Sequence, residues 1–276
     1  MKEIFLDIYQ RLKNNGKLVS PRGMKVLEVE NFSISLPPLC RFSNFKVRKL
    51  SVNYIKKEFL WYLKGDKFDT SIVNHAKLWK QFINSDGVIN SNYGQYIFWS
   101  CHEHGRKSQF EFVVEELTRD RDSRRAVITI LQPYHTVIDD LTDVPCTYSL
   151  GFRVRDNKLN MSSHMRSQDA IYGLGNDIPA FSFVQEMVYA KLKDTYKDLE
   201  MGSHYHVVDS LHVYEKHFQM LDDILSNPEF EDVECPRIKD STEVDYLIAH
   251  NYDGIPSDYQ FTHWLSPEQK ESLWIV

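Results

Sequence analysis

The chain has 276 residues, 42% hydrophobic and 26% charged, enough for a sizeable core in one large domain or two ordinary ones. Its formal net charge of −6 argues against a nucleic-acid polymer as partner and confines any phosphate site to a local cluster of cations. No apolar run approaches the length needed to cross a bilayer.

The four cysteines (Cys40, Cys101, Cys146 and Cys235) are scattered, and Met1-Lys2-Glu3 leads into an amphipathic stretch rather than a signal peptide. Reduced thiols in a cytoplasmic protein are therefore expected. In chain order, apolar periodicity predicts a helix over Ile4–Leu12, a strand over Val26–Leu36 and a helix over Tyr54–Leu63. Arg22, between Pro21 and Gly23, is a loop arginine. In the second helix Ile55, Phe59, Leu60 and Leu63 form the apolar face, and Gly65 reads as its C′ stop. Glu58 lies among these apolar residues. It is either a solvent-facing helix carboxylate or a partly buried acid able to relay protons.

Cys101-His102-Glu103-His104 has metal-ligand residue types but no second Cys/His pair at zinc-site spacing, so no metal is expected. His204, His206, His212 and His217 read as strand and helix residues rather than a metal cage. A helix is predicted over Phe110–Leu117. Arg124 and Arg125 then precede a strand over Ala126–Leu131, and their planar guanidinium groups suit phosphate oxygens.

Cys146 follows Val144-Pro145 at the start of a strand over Thr147–Val154. Asp156-Asn157 is a turn signal joining it to a strand over Lys158–Ser162. A lone cysteine is usually a small buried hydrophobe, but a thiol with a cation beside it is a nucleophile, and Arg166 on the next arm can supply that cation. Arg166-Ser167-Gln168-Asp169 then offers a cation and a hydroxyl suited to phosphate, and Gly173-Leu174-Gly175-Asn176-Asp177 a carboxylate. Nucleophile, anion clamp and acceptor arrive close together, as covalent chemistry on a phosphorylated, base-like substrate requires. A long helix over Ile178–Leu192, a strand over His206–Val213 and a helix over Tyr214–Leu225 complete the pattern. The polar tail from Asn227 to Gln269 reads as irregular, an elaboration or a lid. No repeat or linker divides the chain, so the predicted fold class is α+β: one domain of helices on a mostly antiparallel or mixed sheet.

These residues are similar to the thymidylate synthase family over most of the chain, from Arg22 to about His217. Glu58-Phe59-Leu60-Trp61-Tyr62-Leu63-Lys64-Gly65 resembles its catalytic-glutamate helix, and Leu78-Trp79 and Asn92-Tyr93-Gly94 resemble its active-site tryptophan and tyrosine-glycine turn. Asp122-Ser123-Arg124-Arg125 resembles the arginine pair that reaches across a dimer to the partner's phosphate site. Pro145-Cys146 resembles the nucleophile, Arg166-Ser167-x-Asp169 the phosphate and folate segment, and His212-x-Tyr214 the ribose contacts.

Three departures resemble the deoxycytidylate 5-hydroxymethylases of bacteriophages. Thr147 follows the nucleophile where synthases have His. Ser210 stands where they have Asp. Asp177, eleven residues after Arg166, stands where they place the Asn that reads uracil, although the adjacent Asn176 keeps an amide within one residue. A carboxylate accepts from the cytosine amino group, whereas an amide matches uracil O4 and N3–H.

The resemblance implies a homodimer through the sheet with shared active sites, and conversion of dCMP to its 5-hydroxymethyl derivative with 5,10-methylenetetrahydrofolate. It implies Cys146 as nucleophile, Glu58 as proton relay and Arg166 as the cation that helps ionise the thiol. Phosphate falls to Arg22, Arg166, Ser167, Arg124 and Arg125, the base to Asp177, the sugar to His212 and Tyr214, and folate to Trp79 and Asp169. The alternatives are a thymidylate synthase using dUMP, a hydroxymethylase using ribo-CMP, and a non-catalytic nucleotide- or RNA-binding relative. Retention of Cys146 and Glu58 and the acidic pI argue against the last.

Overall fold

The computed structural model of the protein describes residues 1–99, 107–139, 141–249 and 255–266. Helices α1 (Lys2–Asn15), α2 (Val52–Lys64), α3 (Gln109–Arg119) and α4 (Gly173–Leu192) lie close to their predicted positions. The strands are β1 (Lys17–Val19), β2 (Val26–Leu36), β3 (Val127–Thr129), β4 (Thr147–Arg155), β5 (Lys158–Met165), β6 (Gln168–Asp169) and β7 (Glu200–Tyr214). They form one mixed sheet in the order β1-β2-β7-β5-β4-β3, with β6 pairing β7. β5 and β6 run parallel to β7, and the other pairs are antiparallel. The architecture is the predicted α+β class.

Local chemistry explains the elements that carry the site. Ser51 caps α2 by accepting from Tyr54 N at 3.1 Å, and Gly65 ends it in the left-handed region at φ 58°. In the β4–β5 hairpin, Asp156 and Asn157 both take positive φ (48° and 60°), the backbone of a type I′ turn. Register shifts between Thr147 and Ser149, a bulge directly after Cys146 that bends the strand there. Helix α4 is buried around its circumference, from Leu174 and Ile178 through Phe181 and Phe183 to Val188, as the central helix of the core must be.

Three expectations are corrected. β7 begins at Glu200, not His206, because its first residues pair with β5. The helix expected from Tyr214 starts at Phe218: Tyr214 is still paired with Val26 in the sheet, and a single 3-10 turn intervenes. This helix is α5 (Phe218–Ser226).

The tail is not irregular throughout. It contains α6 (Ser241–Ala249) and α7 (Gln260–Leu265), both packed on α2 and the first also on α4. Fully buried Glu243 ties them together. It accepts from Lys239 N at 2.6 Å and from Thr262 N and Oγ1, both at 2.9 Å. Glu186 on α4 accepts from Arg41 and Arg237, anchoring the start of the tail to the core. These segments form part of the domain body, so the lid reading fails for them. Cys101-His102-Glu103-His104 and the last residues of the chain lie outside the described residues.

Candidate active site

Cys146 stands immediately before β4, and Arg166 immediately after β5, directly across the hairpin. Arg166 N donates to Cys146 O at 2.8 Å. The guanidinium is fixed by the carbonyls of Pro145 (3.0 Å) and Val144 (2.7 Å), which leaves Nη2 3.5 Å from Cys146 Sγ. The approach expected from sequence is thus present, but its net effect differs. The thiol's pKa is raised, chiefly by burial, with Arg166 and Arg22 lowering it and Asp177 and Asp143 raising it. Arginine proximity alone does not ionise this thiol. It lessens a larger desolvation cost.

Glu58 is 4% exposed, which removes the solvent-facing reading. Burial and the nearby Asp177 push its carboxyl up to about 8, against the hydrogen bond it accepts from Tyr54 Oη at 2.6 Å. Tyr54 Oη in turn accepts from Trp79 Nε1 at 2.8 Å, so Trp79, Tyr54 and Glu58 form a chain. Trp79 also packs on Trp61 at 5.3 Å and on Phe82 at 5.7 Å, which leaves its half-buried indole as an aromatic wall beside Glu58.

Asp177 and Asn176 both lie near the start of α4, and the structure separates them. Asn176 Oδ1 accepts from Arg48 Nη2 at 3.3 Å, part of a clamp in which the buried Arg48 also holds the carbonyls of Ile171 and Tyr172. Gly175 permits that clamp, because a Cβ there would stand 2.4 Å from Arg48 Nη2. Asp177 instead accepts from Gln168 Nε2 at 2.9 Å and acts electrostatically on Cys146, Glu58, Tyr62 and Tyr93. Burial pushes its carboxyl up to about 7, so near neutral pH it is only partly an obligate acceptor.

The other residues singled out fall in two groups. Tyr214, at the end of β7, is paired with Val26, which places it beside the loop bearing Arg22. Arg22 itself takes φ 51° and is exposed. His212 is buried edge-on to Tyr214 at 5.0 Å and is paired with Asp169. Asp169 accepts from the amides of Ile171 and Tyr172, both at 3.1 Å, which shapes the turn into α4. Ser167 is half-buried between Arg166 and β6.

Arg124 and Arg125 do not join this cluster. Both are exposed beside β3, and neither is among the charges acting on the thiol. Gly94 of the tyrosine-glycine turn sits against α2, where a Cβ would come 1.6 Å from Tyr62 O, and Tyr93 stacks on Tyr62 at 5.5 Å.

Sequence reasoning missed Tyr54, Gln168 and Arg48. Tyr54 was detectable in principle, since it precedes Glu58 by one helical turn. Gln168 stood in the unassigned position of the Arg166-Ser167-x-Asp169 motif, and Arg48 carried no signal. Among the described residues no cluster of His, Cys, Asp and Glu suits a metal ion, and no helix is long and apolar enough to cross a membrane.

A buried thiol with a fixed arginine beside it and two carboxyls whose pKa values lie near neutral pH are groups suited to covalent chemistry with proton transfer. The family model for thymidylate synthase matches residues 3–261, and the chain belongs to that family; it is therefore an enzyme of one-carbon transfer. Its relatives include the deoxycytidylate 5-hydroxymethyltransferases of Enterobacteria phages T4 and T6. Each is 30% identical over 228 residues, covering 80% of this chain and 89% of its own. The deoxyuridylate hydroxymethyltransferase of Bacillus phage SP01 is 29% identical over 221 residues, 77% of this chain and 56% of that protein.

Proposed function

We propose that this protein is a pyrimidine-nucleotide 5-hydroxymethylase acting on dCMP with 5,10-methylenetetrahydrofolate. The observation that supports the reading is that Asp177 acts on Cys146 and Glu58, while the Asn176 side-chain oxygen is held by Arg48. A carboxyl group accepts from the cytosine amino group, and a single proton shared with the ring nitrogen completes the pair.

In this reading Cys146 Sγ bonds to C6 of the base as the thiol proton departs, and C5 becomes the nucleophile. Methylenetetrahydrofolate supplies a one-carbon unit at the oxidation level of formaldehyde. Trp79 offers that cosubstrate an aromatic face, and Asp169, at the turn into α4, is its polar contact. C5 bonds to the one-carbon unit. Glu58, protonated near neutral pH, gives a proton to the departing amine, and the carboxylate so formed takes the C5 proton, which leaves an exocyclic methylene. Water then adds to the exocyclic methylene on C5, and Cys146 is released. His212 and Tyr214 hold the sugar. Arg22, Arg166 and Ser167 hold the phosphate, together with the partner subunit's Arg124 and Arg125. A homodimer through the sheet is supported by apolar residues exposed on its strands, among them Leu18, Val127, Tyr148 and Tyr205.

A second reading, a dUMP hydroxymethylase, is favoured by the raised Asp177 carboxyl, since a protonated acid can donate to uracil O4. Incubation with methylenetetrahydrofolate and dCMP, CMP or dUMP in turn, with product mass and ultraviolet absorbance, separates these. The expected result is a hydroxymethyl product from dCMP carrying oxygen from isotopic water, with no dihydrofolate. A methyl product with stoichiometric dihydrofolate makes the enzyme a synthase, and a preference for dUMP selects the second reading.

A further inference from the structure

Behind Asp177 lies a chain of buried polar side chains that the chemistry above does not use. Gln168 Nε2 donates to Asp177 Oδ2 at 2.9 Å, and Gln168 Oε1 meets His206 Nε2. His206 Nδ1 lies 2.7 Å from Ser163 Oγ, which also lies 2.7 Å from His204 Nε2. His206 and Ser163 are 0% exposed, Gln168 2% and His204 3%. At the far end His204 Nδ1 is buried with no partner among the described residues.

The chain has a direction. Burial holds both imidazoles neutral, so each ring carries one proton. If His204 Nε2–H donates to Ser163, the unpartnered Nδ1 is a bare acceptor. In the reverse polarity, Nδ1 carries a buried N–H with no acceptor, the costlier of the two defects. The first polarity then propagates: Ser163 donates to His206 Nδ1, His206 Nε2–H donates to Gln168 Oε1, and the amide donates to Asp177. Every link ends as a donor pointed at Oδ2.

We propose that His204, Ser163, His206 and Gln168 act as a polarity lock on Asp177, making Oδ2 an obligate acceptor so that Oδ1 presents the carboxyl group, and any proton on it, to the base. They are positioning residues for base choice. The inference rests on the reading of Asp177 as the base-reading group. Without the lock the Gln168 amide can turn over and Oδ2 can take the proton, which weakens discrimination between an amino group and a carbonyl at C4.

The test measures kcat/KM for dCMP and dUMP in the wild type and in Ser163→Ala, Ser163→Thr, His206→Leu and Asp177→Asn. Ser163→Ala and His206→Leu should each lower the dCMP preference by about tenfold, with Ser163→Thr close to wild type because the hydroxyl returns. Neither Ser163→Ala nor His206→Leu should shift it further when combined with Asp177→Asn. If Asp177→Asn changes base preference but Ser163→Ala and His206→Leu do not, the lock is overturned and the reading of Asp177 survives. If Asp177→Asn itself changes nothing, that reading fails first. Nitrogen-15 spectra of the wild type, which need no variant to fold, should show His206 protonated at Nε2 and bare at Nδ1. The opposite tautomer overturns the proposal.

Discussion

Tyr54 Oη donates to Glu58 Oε1 at 2.6 Å from one helical turn away while accepting from Trp79 Nε1, so one hydroxyl couples an indole to the buried acid. The bond lowers the Glu58 pKa against a larger rise from burial. Tyr54→Phe removes it and should move the Glu58 pKa further up. The alkaline limb of the kcat profile should shift to higher pH, with kcat falling by about tenfold to a hundredfold and KM for the nucleotide little changed. An unshifted limb with equal losses in kcat and kcat/KM would mean that Tyr54 only supports the helix.

Glu58 also sets a pH dependence of stability. Its folded pKa of about 8 lies above the ordinary 4.5, so folding favours the protonated form. The stability contributed is fully present below about pH 4.5 and is lost as pH rises through about 8. Glu58→Gln mimics the protonated acid. The melting temperature of the variant should match wild type at pH 4.5 and exceed it increasingly towards pH 9. Parallel curves across that range would show that Glu58 ionises as freely as an exposed carboxylate.

The Cys146 thiol is opposed by Asp177 and Asp143 and aided by Arg166 and Arg22. Alkylation followed by peptide mapping at pH 7.5 should therefore slow in Arg166→Ala and quicken in Asp177→Asn, each by about three- to tenfold, since one pKa unit is tenfold in thiolate. Cys146→Ser should abolish turnover while the nucleotide still binds, because an alcohol is far less ionised than a thiol. Rates that ignore both substitutions would place the controlling charge elsewhere.

Arg124 and Arg125 stand exposed beside β3, and neither is among the charges that act on their own subunit's thiol. If they complete the partner's phosphate site, Arg125→Ala and Cys146→Ala homodimers are both inactive. Subunit exchange in an equal mixture should restore about one quarter of wild-type activity, because half of the dimers then hold one intact site. Heterodimers shown to form without regaining activity would remove the arginine from the partner's site.

The local elements were legible where periodicity and turn chemistry act alone. The α2 face with its Gly65 stop, the Asp156-Asn157 hairpin and the long helix α4 all follow from residue order, and the motifs bring Cys146, Arg166, Glu58 and Asp177 forward as candidates. Two helices of the tail were not legible. They are short, and they hold because Glu243 of α6 is satisfied by Lys239 N just before that helix and by Thr262 of α7, groups that only the fold brings together.

What residue order by itself determined was the family and the list of reactive groups, since nucleophile, cation and carboxylates sit in contiguous motifs. Tertiary structure decided their state. It held the Asn176 side-chain oxygen on Arg48, from a distant segment, and left Asp177 acting on Cys146 and Glu58. It also raised the pKa of Cys146, Glu58 and Asp177 together. Desolvation depends on everything packed around a group, and those neighbours come from α2, β5, β6, β7 and α4, which no short window of the chain contains.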